Sequence, residues 1–309
     1  MTQQWIRKWG LVVSTGSNGL DLSSLRMQFR THQMDVDAPP TAYIRVYNLS
    51  SETAKQIQKE FQQVTLQAGY EQGNFGIIFQ GTIKQVKRGR IDALDSYVDI
   101  FAADLDQAYN FGLISKTLQA GAKTVDQVRE VISGMGNGAQ AGSIPDTLGS
   151  GGTLPRGKVL FGLGREKLTD LTNSSSASWS IDNGKINVIP LTGYLPGEAV
   201  QINALTGMIG SPEATEAGIE VTTLLNPLIK LGTRVQLNNS DINQTTVKSQ
   251  GFPQYSSLSF FANVTDDGFY RVLVAENRGD NRGEDWFTTL TCLAVDPSSS
   301  SGSSVASYG

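Results

Sequence analysis

The sequence has few of the residues that most often carry enzymatic or metal chemistry. Among its 309 residues there is one cysteine, Cys292, and one histidine, His32. A lone cysteine cannot form a disulfide within the chain, and it gives no sign of an oxidising compartment. A Ser-His-Asp triad or a zinc site with Cys and His ligands could be built only around His32. We therefore expect no metal site and no catalytic centre of these kinds.

Charged residues and long apolar runs are also scarce. Charged residues make up 17% of the chain, and the formal net charge is −4. A duplex-binding surface normally shows a basic stripe, whereas the nearest basic run here, residues 84–90, is short and lies at a predicted hairpin turn. No stretch approaches the roughly 20 apolar residues of a membrane span, and no apolar run follows the charged N-terminal segment as in a signal peptide. We expect a protein that is assembled in the cytoplasm and does not insert into membranes.

Nucleotide and acid–base motifs are missing as well. The glycine-rich stretches 134–142 and 149–152 lack the preceding strand and following helix of a dinucleotide-binding loop, and there is no Walker lysine. Carboxylates are plentiful, but none lies in an obviously apolar setting that would raise its pKa. The sequence therefore predicts no cofactor and no enzymatic activity.

The region from Ala42 to Asp104 carries the clearest structural signal. Its segments 42–50, 64–70, 79–83 and 96–104 are rich in β-branched and aromatic residues and are bounded by Gly, Asn or Ser, which is typical of strands. Between the first two, Ser50 or Ser51 can cap a helix whose apolar residues fall on one face. With two further strands in residues 1–30, these segments predict a small antiparallel barrel with one helix packed against it.

This unit is predicted to occur twice. Segments 220–227 and 231–237 repeat the order of strand, Asn-containing turn and strand. In both copies an Arg-Gly pair precedes an aspartate by seven positions, from Arg88 to Asp95 and from Arg278 to Asp285. A duplicated unit would give two β-barrels in one chain. Chance similarity between two β-hairpins is the alternative that the sequence leaves open.

Residues 106–190 differ from the preceding strands in their sequence pattern. A Thr124/Gln127 capping box opens one predicted helix, a second is expected around 166–172, and Asp182-Asn-Gly184 is the turn of a hairpin. The Gly-, Ser- and Ala-rich stretch 133–155 is expected to be a mobile loop. We predict a mainly β fold with a smaller α+β part. The expected organisation is a first barrel at 1–105, an inserted α+β domain at 106–190, an extended connection at 191–219, a second barrel at 220–296 and a disordered Ser/Gly-rich tail at 297–309.

Several short motifs stand in a characteristic order along the chain, at 44–50, 66–70, 79–83, 179–181, 207–213, 224–227 and 278–286. Each is a weak signal alone, but their order and spacing together are specific. They resemble the baseplate hub proteins of tailed bacteriophages, chiefly the contractile-tailed ones. The resemblance covers most of residues 20–296.

The resemblance implies a structural protein of the virion. In that family each hub chain contributes two tail-tube-like barrels, so that a homotrimer presents six barrels to the sixfold tail tube or a tube-initiator protein above. The tail spike docks below, where threefold symmetry suffices, and other baseplate proteins surround the ring. DNA passes through the central channel without specific binding, which suits a mildly acidic chain.

Three segments are the interface candidates. Two are predicted hairpin tips at 84–90 and 277–286, and the third, 207–212, is expected to be a hinge between domains. The residues concerned are Lys84, Lys87, Arg88 and Arg90 in the first, Arg278, Asp280, Arg282 and Trp286 in the second, and Gly207, Gly210 and Pro212 in the third.

Two alternatives stay open at this level. One is a phage-borne tail protein that binds or degrades the cell wall, with sugar bound through Trp179 or Trp286, although both fit core positions in strands. The other is the equivalent hub of a bacterial injection machine, for which the required geometry would be the same.

Overall fold

The computed structural model describes residues 4–34, 38–215, 217–242 and 268–294. The predicted tail at 297–309 and two parts of the predicted second barrel, 243–267 and 295–296, lie outside these ranges. So does Glu216, which falls in the predicted connection.

The first part of the chain is built of seven strands and one helix. The helix, α1, begins after Ser50, whose Oγ accepts a hydrogen bond from the Thr53 N–H, and it buries Ala54 and Ile57, as the sequence predicted. The predicted segment 79–83 is only the middle of a 16-residue strand. The elements are β1 (Arg7–Thr15), β2 (Asn18–Asp21), β3 (Met27–Met34), β4 (Thr41–Tyr47), α1 (Ser51–Glu60), β5 (Gln63–Tyr70), β6 (Phe75–Arg90) and β7 (Ser96–Ala103).

The middle part combines three helices with short sheets. Its first helix and the two-stranded sheet of β8 and β10 were not predicted, and the supposed mobile loop contains β9 and a turn of 3-10 helix at Leu148–Gly151. The predicted Thr124/Gln127 capping box is wrong, because the Asp126 carboxylate accepts from the Lys123 N–H instead. The elements are α2 (Asp106–Phe111), β8 (Leu113–Leu118), α3 (Thr124–Met135), β9 (Gln140–Ala141), β10 (Lys158–Leu163), α4 (Gly164–Asn173), β11 (Ala177–Asp182) and β12 (Lys185–Pro190).

The last part returns to antiparallel strands. The predicted connection at 191–219 contains two of them, and the second pairs along its length with the next strand. The elements are β13 (Val200–Gln201), β14 (Met208–Thr215), β15 (Gly218–Leu224), β16 (Arg234–Gln236), β17 (Phe269–Asp280) and β18 (Trp286–Ala294), with a 3-10 turn at Asn239–Asp241.

One sheet of thirteen strands joins the first and last parts. Its main path runs β14-β15-β18-β17-β3-β4-β7-β6-β5-β1-β2, so that β3 and β17 meet edge to edge in the middle. Buried polar side chains connect the two strands at this seam. Asn277 donates to Thr31 Oγ1 at 3.0 Å and accepts from Thr288 Oγ1 at 2.7 Å. A satisfied buried network of this kind fixes strand register.

Three hydrophobic cores lie along the chain. The first contains Ile44, Leu66 and Ile100, the second packs α3 and α4 on Trp179 and Ile186, and the third lies under β15–β18. The predicted mainly β fold with a smaller α+β part is confirmed. Pairing among the described strands forms an open path, so the arrangement as two closed barrels and its domain boundaries stay predictions.

Candidate interaction surfaces

The hairpin of β6 and β7 presents the basic run on a strand. Its turn is 91–95, where the Asp92 carboxylate accepts the N–H groups of Leu94 and Asp95 at 2.7 Å, and these bonds lower the pKa of Asp92. Residues 84–90 pair with β7, with Arg88 opposite Val98. The prediction that this run forms the hairpin tip is therefore wrong by several residues, because the strand continues through the basic positions.

The four basic candidates have different surroundings. Lys84 forms an ion pair with Asp106 at the start of α2, and the Lys87 ammonium lies 5.0 Å from the Phe101 ring centroid. Arg88 and Arg90 are exposed. These two are the positions of the run that a partner could reach most freely.

The hairpin of β17 and β18 is anchored by Asp280. This buried carboxylate accepts from Gln28 Nε2 at 2.8 Å, from the Arg282 N–H at 2.9 Å and from Arg26 Nη2 at 3.1 Å. Burial acts to raise the pKa of Asp280, but the hydrogen bonds outweigh it and hold the pKa below its usual value. The turn is 281–285, shorter than predicted, and Arg282 is exposed there.

Trp286 is buried and packs edge-on against Phe29, with 5.5 Å between the two ring centroids. The Arg7 guanidinium lies 5.4 Å from the centroid of the Trp286 ring. Two of the predicted interface residues, Asp280 and Trp286, thus hold the hairpin in place from inside the chain and present no contact surface. Trp179 and Trp286, the two tryptophans considered for sugar binding, are both buried, with 2% of each side chain exposed.

The predicted hinge is a strand edge. Residues 208–215 are β14, and Gly210 (φ +71°) and Pro212 lie in a bulge between Ile209 and Glu213. Gly207 (φ +101°) precedes the strand and accepts from the Leu224 N–H at 2.7 Å. Met208 and Ile209 pair with β15 and residues 210–212 form the bulge, so the segment belongs to the sheet, and a hinge at 207–212 stays a prediction. A bulge with proline is typical of an edge strand.

Several strand edges have no partner among the described residues, including the outer edge of β2 at one end of the main sheet, and two of them bound a continuous run of strands. β14 pairs only with β15, so its other edge is free. Strand β5 pairs with residues 75–82 of β6 and goes no further. The same edge of β6 is therefore free at residues 84–90. Between these edges run eight consecutive strands, from β14 to β6. Free edges of this kind are sites where another chain can add a strand.

The side of these eight strands that faces away from the cores is polar and aromatic; we call it the open face. Its three arginines are paired with carboxylates. Arg45 binds Asp99 through two hydrogen bonds of 2.7 and 2.9 Å, which raise the pKa of Arg45. The Glu276 carboxylate lies 2.7 Å from Arg30 Nε and 3.4 Å from Arg278 Nη2. The open face is formed by Arg30, His32, Tyr43, Arg45, Lys87, Tyr97, Asp99, Phe101, Glu276, Arg278 and Phe287.

The structure also shows a polar junction that the sequence did not predict. Asp104 follows β7 and is 3% exposed, and its two oxygens lie 3.0 and 3.1 Å from the Gly184 N–H in the β11–β12 turn. Asp182 in the same hairpin pairs with Lys230 at 2.8 Å. Burial raises the pKa of Asp104 to about 6 against the opposing hydrogen bonds. The expectation that no carboxylate has such a setting was wrong, because the burial comes from the distant hairpin.

Among the described residues, no cluster of three or more Cys, His, Asp or Glu side chains is placed to hold a metal ion. No described helix is both long and apolar enough to span a bilayer.

Comparison with known proteins gives a family match in the second half of the chain. Residues 165–270 match the family model described as baseplate hub gp41. This span covers α4, the β11–β12 hairpin and the strands as far as the start of β17. Among curated proteins, no match was found.

Solved structures extend the likeness along the chain. A 43 kDa tail protein of prophage MuSo2 from Shewanella oneidensis superposes with a TM-score of 0.57 at 8% identity, covering 93% of this chain and 97% of that one. A tail protein from Neisseria meningitidis MC58 gives 0.58 at 9% identity, with 94% and 97% covered. At these identities the comparison shows a shared fold. The family match at residues 165–270 confirms the predicted resemblance to baseplate hub proteins over that part of the chain.

Proposed function

We propose that this chain is a baseplate hub that forms a closed ring of three copies, joins the sixfold tail tube to the threefold spike and leaves a channel for DNA. The role is structural and non-enzymatic. The partners are the tail tube or its initiator above, the spike below and other baseplate proteins around the ring. Assembly takes place in the cytoplasm of the host, and the ring becomes part of the virion.

The observation that carries this proposal is the pair of free strand edges. The edge of β6 at 84–90 and the edge of β14 lie at opposite ends of the eight-strand run. Because the two edges differ, a contact between copies joins β14 of one to β6 of the next, and such head-to-tail contacts close into rings. Closure would remove both exposed edges.

Charge favours the same contact. The β6 edge carries exposed Arg88 and Arg90, whereas β14 and its neighbour β15 carry exposed Glu213 and Glu220, directly opposite each other. Like charges across a strand pair are destabilising, and cations from a neighbouring chain would relieve them. The bulge in β14 limits pairing with a wrong partner.

The open face suits the wall of a channel. Arg30, Arg45 and Arg278 are each paired with a carboxylate of the same chain. Unpaired cations would bind DNA phosphates and release counterions, which makes for tight, salt-dependent binding. Paired cations let DNA pass without being held.

The test is the solution mass of the purified chain by light scattering, with negative-stain images of the same sample, at up to about 100 μM, where a ring with micromolar contacts would be complete. We expect a threefold ring with an open centre. Arg88→Glu should weaken it and leave the monomer folded. Lys55→Glu makes the same charge change on exposed α1 and should leave the ring intact. A wild-type monomer at all concentrations, or equal behaviour of the two variants, would contradict a ring closed through the β6 edge.

A further inference from the structure

The two-stranded sheet of β8 and β10 has one face in the second core and one in solvent. Ile114, Leu118 and Leu160 point into the core. On the other side, Val159 is 68% and Phe161 65% exposed, and Leu113 is 61% exposed. We call this side the apolar face; it is made by Leu113, Ser115, Thr117, Val159, Phe161 and Leu163, which pair directly across the two strands. Phe111 adjoins it and is 74% exposed.

A face of this composition is uncommon on a protein that stays alone. It contains two small hydroxyl residues and no charged side chain. Its other four side chains are apolar, and the outer edges of both strands have no described partner. Monomeric proteins seldom leave contiguous apolar patches above a few hundred Å² uncovered, and apolar strands with free edges are points of association.

The apolar face continues from the free edge of β6. Lys84 begins that edge and forms its ion pair with Asp106, the first residue of α2. Phe111 is the last residue of the same helix, and Leu113 opens β8 two residues later. A six-residue helix is about 9 Å long. A chain that adds to the β6 edge therefore reaches the apolar face as well.

Charge indicates which chain covers the apolar face. The segments 113–118 and 156–163 contain Lys116, Arg156 and Lys158 and no carboxylate, although the whole chain carries a net charge of −4. Lys116 and Lys158 lie on the core side of the sheet, where Lys116 pairs with Glu130 and Lys158 donates to Gln127. The exposed Arg156, two residues before β10, is the cation beside the apolar face. The rest of the molecule is correspondingly acidic, with Glu213 and Glu220 exposed at the opposite end of the main sheet. Another copy of this chain thus offers the charge that complements the rim of the apolar face.

We infer that the apolar face is covered by the neighbouring copy in the ring, as a second contact beside the β6 edge. This inference rests on the proposed function. It assigns a role in assembly to the inserted α+β part, with Phe161 and Val159 as its central apolar contacts. Other proteins of the assembly are the competing occupants, and the experiment separates them.

The experiment measures how fast a maleimide reacts with a cysteine placed in the apolar face. The native Cys292 is 0% exposed and leaves little background. Ser115→Cys is a conservative change opposite Phe161, and Ser17→Cys, in the exposed β1–β2 turn, is the matched control. Both are labelled in the assembled ring and in the Arg88→Glu background, where the ring is weakened.

We expect labelling of Ser115→Cys to slow by about tenfold or more in the ring, because local burial protects the thiol. Ser17→Cys should react equally in both forms. A ring in which Ser115→Cys reacts as fast as in the monomer would overturn the inference and leave the proposed function standing. If the light-scattering mass shows no ring at all, both fail, and the mass itself distinguishes this case.

A second variant tests the energetic role of the face. The double variant Val159→Ser, Phe161→Ser should raise the concentration at which the ring dissociates by about tenfold or more. The substitutions remove two large apolar side chains that would be buried on assembly. Leu228→Ser, which alters a 57% exposed leucine elsewhere, should leave that concentration unchanged. Circular dichroism of the monomer checks folding. An unchanged dissociation concentration in the double variant would also overturn the inference.

Discussion

Asp104 is a carboxylate whose pKa folding raises well above its ordinary value. Its pKa rises from the ordinary 3.8 to about 6, chiefly because it is buried, and Asp182 nearby adds to the rise. Asp182 itself pairs with Lys230 at 2.8 Å. The folded chain therefore binds this proton more tightly than the unfolded chain does. Between about pH 4 and pH 6, Asp104 makes stability rise as the pH falls.

Asp104→Asn should remove this dependence. The unfolding free energy of the variant minus that of the wild type should fall by up to about 3 kcal/mol between pH 8 and pH 4. The wild type gains stability as Asp104 is protonated and the variant does not, and two units of pKa shift correspond to roughly that energy. Urea unfolding at pH 8, 6 and 4 measures it. Asp146→Asn, at a side chain 94% exposed, is the control. A difference that stays constant with pH, or that grows on acidification, would contradict the prediction.

Asp280 acts in the opposite direction. With its pKa held below the usual value, it stabilises the fold at neutral pH, and that contribution is lost as the pH falls through the lowered value. Asp280→Ala leaves Arg26, Gln28 and the Arg282 N–H without their shared acceptor, which should cost about 2–4 kcal/mol in urea unfolding at pH 7. Asp285→Ala, at an exposed carboxylate in the same turn, should cost less than about 0.5 kcal/mol. Equal losses of unfolding free energy in the two variants would show that the Asp280 carboxylate stabilises the fold no more than an exposed one does.

At the scale of elements, the two long hairpins repeat one arrangement. Gly89 lies opposite Tyr97 in the first and Gly279 opposite Trp286 in the second. A Cβ on Gly89 would meet the Tyr97 ring at 2.4 Å, and a Cβ on Gly279 would meet the Phe29 ring at 2.4 Å and the Trp286 ring at 2.9 Å. The Arg-Gly spacing that predicted a duplication thus corresponds to a shared packing of glycine against an aromatic side chain.

The two glycines should nevertheless respond differently to alanine. At Gly279 the new methyl group would meet the buried rings of Phe29 and Trp286, which cannot move away, so Gly279→Ala should cost about 2–3 kcal/mol. At Gly89 it would meet the outer end of the half-buried Tyr97 ring, which can turn aside, so Gly89→Ala should cost about 1 kcal/mol or less. Denaturant unfolding of both variants measures the difference, and an equal or reversed order would contradict it.

The elements show what local sequence predicts and what it does not. Helix α1 and the β11–β12 turn were predicted correctly, because a serine cap and an Asp-Asn-Gly turn act over a few residues. The basic run of β6 was placed in a turn, since its charges hide a strand pairing set by β7. The exposed apolar residues of β8 and β10 have no local signal, because the pairing of 113–118 with 158–163 spans some forty residues.

At the scale of the whole molecule, the seam between β3 and β17 makes the two β-rich parts one sheet. The sequence predicted the two parts from their similar hairpins, but it could not predict that they pair with each other. That pairing depends on Thr31 and Asn277, which are 246 positions apart and meet only in the folded chain. The same holds for the open face, where the partners Arg45 and Asp99 lie on strands 54 residues apart.

The balance of charge on the open face gives the last prediction. Glu276 lies within 4 Å of cationic or ionisable groups of Arg30, Arg278 and His32, so Glu276→Gln leaves these groups without their shared carboxylate. Each cation freed to contact a phosphate adds a salt-dependent term, and the variant should bind duplex DNA about three- to tenfold more tightly at 50 mM salt, an advantage that disappears as salt rises. Glu284→Gln makes the same charge change at the exposed β17–β18 turn and should bind as the wild type does. Fluorescence anisotropy with a short labelled duplex measures the three proteins. Equal binding by both variants would mean that net charge, and not the pairing on the open face, keeps DNA from being held.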